Sequence, residues 1–126
     1  IVPMPVLELN EVALQDFPGG ATYQTLVGDT DGTTPVRIGI QVSPPGYSTG
    51  THSHPYLEVI TVLEGEGEAW IGDEPLSPLT AGSTMLLPPN VPHGFRAIGA
   101  GPLKTYGVHA SSERIVHRPD ADLPNP

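Results

Sequence analysis

GYSTGTHSHPYLEVITVLEG, residues 46–65, begins and ends on glycine and places His52, His54 and Glu58 ahead of an apolar run. On an extended chain, side chains alternate faces with a period of two. His52, His54 and Glu58 share parity, and Ile60 and Val62 continue their face, while Val59 and Thr61 point the other way. Residues 57–63 are rich in β-formers and read as a strand buried on both faces. A bare carboxylate inside such a strand is costly unless a metal or another cation partners it. Glu58 is therefore the residue that most needs an explanation.

Outward from this stretch, prolines and glycines mark the strand edges. Ser43-Pro44-Pro45-Gly46 closes the preceding strand, and Gly65-Glu66-Gly67 is a turn. Glu64, Glu66 and Glu68 read as a solvated acidic rim. Pro88-Pro89-Asn90-Val91-Pro92 is a rigid turn that delivers His93, with Phe95 and Ala97 on the same face. Upstream, Val36, Ile38, Ile40 and Val42 alternate with Arg37, Gly39 and Gln41, the pattern of a half-polar strand. Arg37 and Gln41 either face solvent or enter the interior, where Arg37 would suit a carboxylate substrate. Further strands are expected at 6–9, 21–27, 69–71, 76–79, 84–87 and 103–109, with a loop or single turn over 12–17 and a polar turn over 28–32. Ile60 and Phe95 would line an apolar pocket. Tyr106 and His109 have opposite parity, so only one of them can point inward. Tyr106 is the candidate acid or hydrogen-bond donor, and His117 reads as a surface histidine.

With these residues in hand, the chain resembles the cupin family. Gly46, His52, His54, Glu58 and Gly65 match every spacing of the first cupin motif, and Gly82, Pro88, Asn90, His93 and Ala97 follow the second. Two positions depart: Asn90 stands where glycine is expected and Ala97 where asparagine is expected. Asn tolerates the left-handed conformation that such a turn needs. The resemblance implies an all-β fold, a double-stranded β-helix or jelly-roll barrel. It implies His52, His54, Glu58 and His93 as metal ligands and a homodimer built through the N-terminal strands and the tail. Three imidazoles and a carboxylate suit one divalent transition metal per chain (Fe, Mn, Ni, Cu, Co or Zn) rather than Mg or Ca.

The 126 residues fit one domain, with a barrel core over about 34–110, N-terminal strands in 1–33 and a proline-rich tail over 111–126. Gly 15 and Pro 16 favour a turn-rich β fold. A net charge of −9 argues against nucleic acid and against an anionic membrane surface. The absence of cysteine rules out a disulfide framework and agrees with a cytoplasmic protein. The chain begins at Ile1, so residues before it are not excluded. The partner expected is a small organic molecule. The first expectation is an enzyme of the dioxygenase-like oxidoreductase kind, with Glu58 serving also as a base. The alternatives are a metal-dependent isomerase, cyclase or decarboxylase, and a non-catalytic ligand-binding domain.

Overall fold

The computed structural model describes residues 6–28 and 34–119. Among them run β1 (Gln15–Asp16), β2 (Thr22–Val27), β3 (Arg37–Ser43), β4 (Glu58–Glu64), β5 (Gly67–Ile71), β6 (Ser77–Leu79), β7 (Thr84–Leu87), β8 (His93–Ala97) and β9 (Leu103–His109). Helical geometry in these residues is confined to two 3-10 turns, Leu9–Glu11 and Pro18–Gly20. One sheet has the order β1-β2-β3-β9-β4-β7 and the other β6-β5-β8. All the pairings are antiparallel. This is the all-β, double-stranded β-helix architecture expected from the strand spacing and the motifs.

Register decides what the larger sheet presents inward. Directly opposed residues on neighbouring strands share a face. β3, β9, β4 and β7 align Arg37, His109, Glu58 and Leu87 in one row, and Gly39, Gly107, Ile60 and Met85 in the next row but one. The polar face of β3 therefore turns into the barrel. Arg37 is 3% exposed, and Gly39 makes room for the ring of Tyr23, which a Cβ there would strike. Leu87 and Ile60 from these rows join Val62, Leu103, Ala69, Leu79, Phe95 and Ala97 in the apolar core.

Two turns show why the motif positions carry the residues they do. Gly65 has φ 92°, and a Cβ there would collide with the Pro102 carbonyl. Asn90 has φ 65°, the left-handed conformation for which glycine is the usual residue.

The N-terminal segment corrects the sequence reading. No strand forms over 6–9, where a 3-10 turn begins at Leu9, and the short β1 pairs with β2 where a loop was expected. Gln24 Nε2 donates to the carbonyls of Leu9 (2.9 Å) and Val12 (3.0 Å), so one side chain ties the segment down without any hydrophobic periodicity. Positions 29–32 of the polar turn and 120–126 of the tail lie outside the described residues.

Candidate metal centre

The site is assembled from both sheets. Residues 46–52 run antiparallel beside β8. Gly46 N–H donates to Ala97 O (2.9 Å), Thr49 N–H to Phe95 O (2.9 Å), and His52 and His93 exchange backbone bonds of 2.9 and 2.8 Å. That ladder puts the His52 and His93 side chains next to each other, with ring centroids 4.5 Å apart. Asn90 N–H donates to His54 O (2.7 Å), which ties the proline-flanked turn to the third imidazole. Glu58 opens β4 across the barrel.

His52, His54, Glu58 and His93 are all buried, and one ligand atom from each lies within 4.8 Å of all the others. The tautomers follow from the backbone. His52 Nδ1 donates to Gly50 O (3.0 Å), His54 Nδ1 to Ile115 O (2.6 Å) and His93 Nδ1 to Val91 O (2.9 Å). A carbonyl only accepts, so each Nδ1 carries the proton, and in its neutral form each ring presents an Nε2 lone pair. Glu58 Oε1 stands 3.0 Å from His54 Nε2 and 3.4 Å from His93 Nε2. These are acceptors facing an acceptor, and Glu58 Oε1 and His93 Nε2 are buried without a hydrogen bond. Orphaned lone pairs at this spacing call for a cation between them. The donor set fits a divalent transition metal, so the cluster could bind one.

Glu58 Oε2 has a different partner. His109 Nε2 donates to it at 3.0 Å, and Tyr56 Oη lies 2.7 Å from His109 Nδ1. Tyr56 Oη in turn accepts from Ile115 N–H (3.2 Å). Burial pushes the Glu58 carboxyl up, but the hydrogen bond from His109, with the His54 and His93 rings beside it acting in the same sense, outweighs it and holds Glu58 well below the ordinary carboxylate value. Of these three, His109 is the one with an Nε2 proton to give. Burial lowers His52 to about 3, helped by His93, and burial raises the Tyr56 phenol.

A cavity of about 160 Å³ opens over the cluster, with Arg37, Gln41, Ile60 and Phe95 in its wall. Arg37 Nη1 donates to Tyr23 Oη at 2.9 Å. Tyr106 is a correction. Thr105, Gly107 and His109 supply the cavity lining from β9, and Tyr106 lies on the opposite face of that strand, half-buried and outside the lining. His117 is exposed, and its backbone pairs with Ser53. Sequence reading missed Tyr23, Tyr47, Arg114 and Arg118, which also line the cavity. Parity had left His109 open, but the contribution of residues 111–118 carried no periodic signal.

The Cupin domain family matches residues 39–109. Protein SchB of Streptomyces halstedii is 36% identical over 94 residues, 70% of this chain and 67% of that protein. Polyketide synthase CurC of Streptomyces cyaneus is 30% identical over 95 residues, 75% of this chain but only 61% of its own length. Among solved structures, a cupin 2 domain-containing protein from Halorhodospira halophila is 29% identical with a TM-score of 0.72, covering 86% of this chain and 76% of that one. The polyketide cyclase RemF from Streptomyces resistomycificus has a TM-score of 0.80 at 23% identity, covering 95% and 88%, a likeness of fold.

Proposed function

This chain belongs to the cupin family, and from that premise we propose that it is a metal-dependent cyclase acting on a small poly-carbonyl compound of the polyketide type. The observation that carries the reading is the convergence of His52, His54, His93 and Glu58, each imidazole tied through Nδ1 to a backbone carbonyl, on one buried point beneath a cavity. The polyketide context comes from CurC, and RemF is an instance of a polyketide cyclase built on this barrel.

His52, His54, His93 and Glu58 would hold the ion. A divalent transition metal held there would supply Lewis acidity toward substrate carbonyls, which would make the carbon between them more acidic. The remaining work falls to side chains. Phe17, Tyr23, Tyr47 and Phe95 line the cavity and give a planar substrate aromatic walls. The Glu58–His109 pair takes the proton from the substrate carbon. The new C–C bond forms to a second carbonyl carbon, whose oxygen receives that same proton back through His109, so that Glu58, His109 and Tyr56 end as they began. Atoms balance without an oxidant.

The same donor set suits Fe, Mn, Ni and Cu, so a dioxygenase-like oxidoreductase is the second reading. The test is elemental analysis of protein purified without added metal or chelator, followed by turnover of a poly-β-ketone with and without oxygen. About one equivalent of metal per chain and anaerobic cyclisation support the cyclase. Turnover that consumes oxygen moves the assignment to the oxygenase. Absence of turnover with every metal leaves a ligand-binding cupin.

A further inference from the structure

The chain carries 14 acidic residues against five Lys and Arg. Its cavity reverses that balance. Arg37, Arg114 and Arg118 line it, and among the described residues Glu58 is the one carboxylate that does. The two cations elsewhere are paired on the surface, Arg96 with Glu68 at 2.6 Å and Lys104 with Glu64 at 3.7 Å. Among the described residues, Arg114 and Arg118 have no carboxylate partner. Arg114 is exposed and Arg118 half-buried, so they stand toward the solvent side of the cavity, whereas His52, His54, Glu58 and His93 are buried. Arg118 is anchored there, with Nη1 donating to Thr49 O at 3.0 Å. Arg114 lies 5.3 Å over the Phe17 ring. Guanidinium donors fixed beside aromatic walls match a carboxylate on an aromatic or enolic body. In an acidic protein they also draw an anion toward the cavity mouth.

We propose that Arg114 and Arg118 form an anion subsite that binds the carboxylate of the substrate, so that the compound entering the cavity is a free acid rather than a thioester or a neutral ketone. The substrate assignment rests on the cyclase reading; the subsite stands on its own residues. An acid bound this way places its carboxylate at the entrance and its carbonyls toward His52 and Glu58.

The test is equilibrium dialysis of 2-naphthoate and its neutral counterpart 2-naphthamide against the full chain. The acid should bind about tenfold more tightly than the amide, and added salt should weaken the acid alone. The double substitution R114Q/R118Q should bring the acid to the level of the amide and leave the amide unchanged. H52A, which removes a metal ligand, should keep the preference for the acid. Equal binding of acid and amide by the unaltered chain, or no binding of the acid, overturns the proposal. So does a preference that survives R114Q/R118Q or disappears in H52A, which would put the carboxylate on the metal centre. Failure of cyclisation with every metal would sink the cyclase reading and leave the dialysis result standing.

Discussion

His109 Nε2 stands 3.0 Å from Glu58 Oε2, on the carboxylate oxygen that does not meet the imidazole lone pairs. The two oxygens of one buried side chain thus have separate duties: Oε1 faces the ligand cluster and Oε2 is held by a donor from β9. Such a clamp fixes the carboxylate rotation and favours binding through a single oxygen.

Replacing His109 with Ala should therefore weaken metal binding by roughly ten- to a hundredfold while the barrel stays folded. Tyr56→Phe should cost less, because the Nε2 proton of His109 remains. Competition against a chelator of known affinity measures both. Undiminished affinity in the His109 variant would show that the clamp has no part in binding.

His52→Ala and His54→Ala should both abolish tight metal binding, but they should differ elsewhere. His52 is tied locally, to the Gly50 carbonyl two residues away, whereas His54 reaches Ile115. Loss of the His54 ring should raise amide exchange over residues 113–117, and loss of the His52 ring should not. Identical exchange maps for the two variants would contradict this.

Stability of the metal-stripped protein should depend on pH in one direction. His52 is lowered from 6.5 to about 3, chiefly by burial and then by His93. The native state thus refuses a proton that the unfolded chain takes up. The stabilisation is complete above about 6.5 and is lost as pH falls toward about 3. Glu58, also lowered, acts in the same sense below its ordinary 4.5. Urea unfolding from about pH 7 to about pH 4 should show a falling free energy, and His52→Asn should flatten part of the slope. A flat profile would mean that the ring is not held neutral by burial.

Gly39→Ala should destabilise the fold by about 1–3 kcal/mol. Its Cβ would drive into the Tyr23 ring, which Arg37 also contacts. Thermal unfolding of the metal-free variant measures the loss, and an unchanged midpoint would show that the ring moves aside freely.

The cluster of His52, His54, Glu58 and His93 is legible in the sequence because motif spacing and side-chain parity are local properties. Parity alone reads 52–58 as one strand, yet the chain bends at Pro55 and Tyr56. The ligands converge because His52 pairs with His93 while Glu58 begins a strand of the other sheet. The inward turn of Arg37 was an open alternative in the sequence, since alternation gives two faces without saying which is buried. The Glu58–His109 pairing comes from the β4–β9 register, a contact between distant segments. Arg114 and Arg118 lie in an irregular segment where no period exists to be read.

Ile115 O holds the Nδ1 proton of His54, and Ser53 and His117 exchange backbone bonds of 2.8 and 2.9 Å. The matched family region nevertheless ends at residue 109. A chain trimmed to that homology boundary would keep β3 to β9 and all four donors, yet it would lose the carbonyl that selects the binding nitrogen of His54. The unit of inheritance and the unit of chemistry have different lengths in this protein. Grafting the barrel without its last turn of chain would transplant the ligands and leave behind the part that tells one of them which way to face.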